Sequence, residues 1–191
     1  DNLIKIKNKF MLEKMNDFYS STSDDLIFFI KKQKYKKIFI LCGKKSYTKS
    51  GADKIINKII NKKNVKFFFK NSSFPDFNEL KNISISIKSF SPDLIIAIGG
   101  GSVIDYAKIA NVIEVNNKLK LRIINSTYKI EKKFTKLLAI PTTAGSGAEV
   151  TSNAVIYIDK IKYSIEGEEL KPNFFFLLPE LIIGSSNKIK S

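Results

Sequence analysis

Apolar residues along the chain come in two alternating patterns, short unbroken runs and longer stretches where they recur every three or four positions. The runs at 36–42 (KKIFILC) and 94–98 have the length and aliphatic content of buried strands, and 64–69 and 136–140 read as further strands. Between them, 24–32, 51–61, 77–90 and 102–115 carry helical stripes, such as Ile55, Ile56, Ile59 and Ile60, or Val103, Ile104 and Ala107. Polar residues at 21–25 can cap the first of these helices and Ser102 the last. Strand, helix and strand joined by short connections force parallel pairing and right-handed crossovers. The predicted fold is therefore α/β, an open, mainly parallel Rossmann-like sheet with helices on both faces.

Outside this alternation the pattern is weaker. Residues 1–20 read as an edge strand and a short helix, and 116–134 as a polar, irregular or partly helical excursion. The run 153–159 (NAVIYID) predicts a strand with 162–165 as its hairpin partner. An apolar stretch follows at 174–183, then a polar tail at 184–191, so one domain over 1–183 is expected.

Two glycine-containing loops follow two of the strands. In LIIAIGGGSVIDYAK, Gly99, Gly100 and Gly101 lie between a strand and a helix, the arrangement that offers backbone N–H groups and a positive helix end to a phosphate. After the 136–140 strand, PTTAGSG supplies the hydroxyls of Thr142, Thr143 and Ser146. Ligands of open parallel sheets sit outside the carboxyl ends of the strands, so both loops should face one crevice. GGGS lacks the G-x-G-x-x-G spacing and lies on a later strand than the usual dinucleotide fingerprint. The first strand ends in Gly43, Lys44 and Lys45, with no carboxylate for a ribose 2′-hydroxyl and two cations suited to a 2′-phosphate. Asp105 can accept from a ligand or stabilise the helix start, Glu149 can anchor the second loop, and Lys162 can reach the cofactor or stay solvated.

Charge changes this picture little. The net charge is +15, but Arg122 is the only arginine, so bidentate readers of phosphates and bases are nearly absent and no nucleic-acid partner is expected. Cys42 is the single cysteine, which excludes an internal disulfide, and its place at a strand end makes it a core residue. No apolar run has transmembrane length and no signal-peptide pattern opens the chain, so no membrane partner and a cytoplasmic location are expected. The chain has no histidine, which removes the usual imidazole base and the commonest neutral metal ligand.

IIAIGGGSVIDYAK and LLAIPTTAGSGAEVTSNAVI, with LCGKKSYTKSGADKI and LLPELI more loosely, resemble the N-terminal half of the iron-containing (group III) alcohol dehydrogenases. KYSIEGEELKP and FFFLLPEL look most like the 3-deoxy-sugar-acid 8-oxidase branch. The resemblance implies NAD or NADP as cofactor. Its diphosphate would lie on Gly99, Gly100, Gly101 and Ser102, its ribose near Asp105, and its remaining contacts would come from Gly43, Thr142, Thr143, Ser146 and Lys162. It also implies iron or zinc, held by one Asp and three His on a C-terminal helical domain beyond Ser191, and hydride transfer from an alcohol or sugar-acid hydroxyl to nicotinamide. On that reading the chain is the cofactor-binding half of a longer enzyme, inactive alone, with a dinucleotide and a small alcohol or sugar acid as partners. Its apolar 174–183 stretch would pack against the missing domain, and its exposure would favour a homo-oligomer. The alternatives are a non-catalytic nucleotide-binding module and the N-terminal domain of a dehydroquinate synthase-like lyase.

Overall fold

A computed structural model describes residues 22–60 and 63–186, with side chains to 182, so the expectation for 1–20 lies outside the described residues. The apolar runs become β1 (Lys37–Gly43), β2 (Asn64–Lys70), β3 (Leu94–Gly99) and β4 (Lys136–Pro141), and with the short β7 (Phe174–Phe175) they form one sheet. Its order is β2-β1-β3-β4-β7 and every pairing is parallel. The helical stripes become α1 (Ser23–Lys32), α3 (Ala52–Ile60), α4 (Phe77–Phe90) and α5 (Gly101–Ala110), joined by α2 (Lys44–Lys49), α6 (Leu119–Ile124) and α7 (Pro179–Ser186).

Alternation along the central strands separates two cores. Phe39, Leu41, Ile95, Ala97, Leu137 and Ala139 face α4, α5 and α6. Ile38, Ile40, Cys42, Ile96, Ile98 and Ile140 face α1, α3 and α7. Helices therefore cover both faces, as the unbroken apolar runs require. At the lower edge the Asp93 carboxylate accepts the Lys36 and Lys37 N–H groups, at 2.8 and 3.1 Å, and ties the start of β1 to that of β3.

β5 (Asn153–Ile158) and β6 (Ile161–Glu166) form the expected antiparallel hairpin, a separate two-stranded sheet. Its inner residues Ala154, Ile156, Ile158 and Ile165 join the α5 side of the core. Asp159 and Lys160 turn it with φ of 51° and 69°, the two left-handed positions of a tight hairpin turn.

Three expectations are corrected. α5 stops at Ala110 rather than 115, because the Asn111 side chain exchanges two hydrogen bonds with the Thr135 backbone, at 2.9 and 3.0 Å, and redirects the chain. Ser102 does not cap that helix; Gly100 occupies the N-cap position and Ser102 lies in the first turn. Over 174–182 the stretch does not present an exposed apolar face, because Phe175, Phe176, Leu178 and Leu181 are buried in this domain's own two cores. Exposure there thus gives no argument for a homo-oligomer.

Candidate functional site

The sheet order places β2 on one side of β1 and β3 on the other, so the chain reverses direction of travel between β1 and β3. That reversal opens a crevice at the carboxyl ends of those two strands, where ligands of doubly wound sheets bind. Gly43 closes β1 there, and its carbonyl accepts from Ser46 Oγ at 3.0 Å as α2 begins. A Cβ on Gly43 would stand 2.9 Å from Ser46 Oγ, so the turn is tight. Its register partner on β2 is Lys70, and Lys44 and Lys45 follow it at the start of α2.

Gly99 closes β3 in the same plane. The chain bends with φ of +157° at Gly99, and a Cβ there would lie 2.6 Å from Val103 Cγ2, so no larger residue fits. Gly100 then starts α5, and its carbonyl accepts the Val103 and Ile104 N–H groups at 3.0 and 3.3 Å. No side chain caps this helix, which leaves the Gly101 and Ser102 N–H groups and its positive end to whatever occupies the crevice.

The second glycine loop meets the first. Gly99 and Pro141 are register partners across β3 and β4, and the Thr142 N–H donates to the Gly99 carbonyl at 3.0 Å. A Cβ on Gly100 would stand 3.1 Å from Thr143 Oγ1, and one on Gly101 would stand 3.1 Å from Ser146 Cβ. Glycine at both positions is thus what lets the hydroxyl loop approach the phosphate-type turn. Thr142 is buried, whereas Thr143 and Ser146 are exposed at the rim. Gly145 and Gly147 carry φ of +92° and +61° with open space around them, so the loop reverses where side chains would be strained.

Asp105 and Lys162 lie on the side of α5 that faces the hairpin. Asp105 faces the hairpin, where the Val155 N–H donates to its carboxylate. Burial pushes that carboxyl up to about 6, against the opposing pull of Lys108, of the Val155 hydrogen bond and of Lys162. Lys162 is exposed on β6, close enough to Asp105 to act on its charge. The structure therefore joins Gly43, Gly99, Gly100, Gly101, Ser102, Thr142, Thr143 and Ser146 along the strand ends and sets Asp105 and Lys162 together on the flank of α5.

Two features escaped the reading of the sequence. Lys108 is fully buried, and burial lowers its ammonium to about 8 although Asp105 and Glu149 pull the other way. The signal was available, a lysine one turn after Ile104 on the apolar phase of the helix. The other is Tyr106, also fully buried. Its hydroxyl donates to Glu79 Oε2 at 2.8 Å and accepts the Asp76 N–H at 2.6 Å. It thereby fixes the chain after β2 against α5. Cys42 is buried and its thiol is pushed up to about 12 by desolvation, which keeps it protonated and structural. A cleft of about 280 Å³ opens near Ser91, Pro92 and Thr135, at the amino ends of β3 and β4 and away from this crevice.

A five-stranded parallel sheet with helices on both faces, a switch between β1 and β3 and two glycine loops at the strand ends define an open, Rossmann-like α/β domain. The family model for iron-containing alcohol dehydrogenases matches residues 18–179, and the chain belongs to that family, whose members are NAD(P)- and metal-dependent alcohol dehydrogenases. Among curated relatives, an alcohol dehydrogenase of Thermococcus barophilus is 37% identical over 113 residues, covering 56% of this chain and 30% of the relative. An aldehyde-alcohol dehydrogenase of Clostridium acetobutylicum is 31% identical over 168 residues, covering 81% of this chain and 19% of the relative. The solved iron-containing alcohol dehydrogenase of Thermococcus thioreducens superposes with a TM-score of 0.71 at 25% identity, covering 86% of this chain and 45% of that one. The sulfoacetaldehyde reductase of Bifidobacterium kashiwanohense, solved with NAD+, shares the fold with a TM-score of 0.74 at 23% identity, covering 87% and 44%. The chain thus spans less than half the length of these relatives. Among the described residues, no group of three or more His, Cys, Asp or Glu is placed to hold a metal ion. No helix among them is long and apolar enough to cross a membrane.

Proposed function

We propose that this chain is the dinucleotide-binding domain of a metal-dependent alcohol dehydrogenase and binds NAD or NADP in the crevice between the ends of β1, β3 and β4. One observation carries the reading: Gly100 and Gly101 stand in near contact with Thr143 and Ser146 beside the uncapped start of α5. The N–H groups of Gly101 and Ser102 then serve the diphosphate, with the positive helix end adding to their pull. The adenosine half lies beside Gly43, and the Thr142, Thr143 and Ser146 hydroxyls serve the nicotinamide half. Asp105 and Lys162 form the hairpin-side wall. Lys44 and Lys45 next to Gly43 favour a 2′-phosphate, so NADPH should bind at least as tightly as NADH.

When bound, the cofactor supplies hydride acceptance from an alcohol or sugar-acid hydroxyl. The described residues do not fit a catalytic metal, so no step of that chemistry is assigned to them, and the chain alone should not turn over. Fluorescence titration with NADH and NADPH tests the binding. Saturable binding of at least one is expected, weakened by Gly100→Val, whose side chain would fill the space beside Thr143. Failure of both to bind overturns the reading, and alcohol-dependent reduction of NAD or NADP by the chain alone overturns the assignment of catalysis elsewhere.

A further inference from the structure

Lys108 lies two turns into α5, fully buried, where an ammonium is stable only with its donors satisfied. It donates to the Thr151 carbonyl at 2.8 Å, to Thr151 Oγ1 at 3.0 Å and to the Asn153 carbonyl at 2.9 Å. All three acceptors are neutral and all lie where the hydroxyl loop runs into β5. Asp105 and Glu149 add negative charge nearby, and Glu149 Oε2 is buried without a hydrogen-bond partner. The other end of the loop is fixed by the Thr142 N–H on the Gly99 carbonyl, at 3.0 Å. The β3–α5 unit therefore grips the 142–151 loop at both ends. Between the two grips stand Thr143 and Ser146, over Gly100 and Gly101.

We propose that Lys108 is a positioning residue for the nucleotide site, fixing the hydroxyl loop to the same helix whose first turn receives the diphosphate. The inference rests on the dinucleotide reading above. Because α5 is a rigid element, its N-terminus and its Lys108 ammonium keep a constant separation, and that separation sets how far Thr143 and Ser146 stand from the glycine turn. Lys108 touches no cofactor atom itself. Its removal leaves two carbonyls and a hydroxyl without their donor and frees the far end of the loop.

The test compares the unsubstituted chain with Lys108→Met and Thr151→Val, titrated with NADH and with ADP, while amide hydrogen exchange is followed across 142–151. ADP reaches the Gly43 side and the glycine turn only, whereas NADH also needs the hydroxyl loop. Lys108→Met should weaken NADH about tenfold and ADP by less than about threefold. Exchange should quicken across 142–151 and stay unchanged in β3 and β4. Thr151→Val removes one acceptor and keeps the two carbonyl bonds, so it should move both readouts the same way by less, and it carries the test if Lys108→Met does not fold. Equal losses for NADH and ADP, or unchanged NADH affinity, overturn the positioning role. Failure of the unsubstituted chain to bind either nucleotide overturns the dinucleotide reading, and this inference with it.

Discussion

Asp105 is drawn out of water by the hairpin, and desolvation raises its carboxyl from 3.8 to about 6 despite Lys108, the Val155 N–H and Lys162. Between these two values the unfolded chain releases a proton that the native chain keeps. Stability therefore falls as pH rises through that window, and above it the ionised group imposes a constant cost of about 1–3 kcal/mol. Asp105→Asn keeps an oxygen for the Val155 N–H and removes the charge. It should stabilise the chain by about 1–3 kcal/mol at pH 7 and leave it unchanged below about pH 4. Urea unfolding at pH 7 and at pH 3.5 checks this, and a loss at pH 7 would contradict it. Glu79 has the opposite sign. Burial alone would raise its carboxyl, but the Asn71 N–H, Ser72 and the Tyr106 hydroxyl outweigh burial and hold it below the usual range. Its contribution is present above the ordinary carboxylate value and is lost as pH falls through its folded value.

At the scale of elements, the β3–α5 turn is the most constrained joint of the crevice. A Cβ at Gly99 would overlap Val103 Cγ2 at 2.6 Å on a backbone with φ of +157°, and Val103 is itself packed in the core. Gly99→Ala should therefore cost about 1–3 kcal/mol of backbone strain, with relief of the overlap added, seen as a lower thermal midpoint. Gly101→Ala, whose Cβ meets only the exposed Ser146, should cost less stability. Elements of this joint were legible because apolar runs buried on both faces have few other uses, and β1, β3 and β4 fall where those runs lie. α2 was not legible, since KKSYTK is six residues long and buries only Tyr47. β7 was not either, because two residues of an apolar stretch become a strand only when β4 is there to pair with them. The length of α5 depended on Asn111 meeting Thr135, a partner 24 positions away. The meeting of the two glycine loops followed from their place after adjacent strands, but the grip of Lys108 needed the hairpin's position, which no local pattern encodes.

Across the whole molecule, cations outnumber carboxylates 33 to 18, and the excess is spread along the chain. Among the described residues two ion pairs form, Lys88 with Glu114 at 3.0 Å and Lys120 with Asp159 at 2.8 Å, both between substantially exposed side chains. Such pairs contribute little and leave most of the repulsion uncompensated. The same field that repels itself also attracts a dinucleotide anion, so one variable should act on folding and binding in opposite directions. Raising KCl from about 0.02 M to about 0.3 M shortens the screening length severalfold. The urea midpoint should rise as self-repulsion is screened, while NADH affinity falls. NADPH carries an additional phosphate, and with Lys44 and Lys45 beside Gly43 its affinity should fall more steeply than that of NADH. Parallel salt dependences for the two nucleotides would argue against a 2′-phosphate seat at the end of β1, and a midpoint indifferent to KCl would show that the fold already neutralises its charge locally.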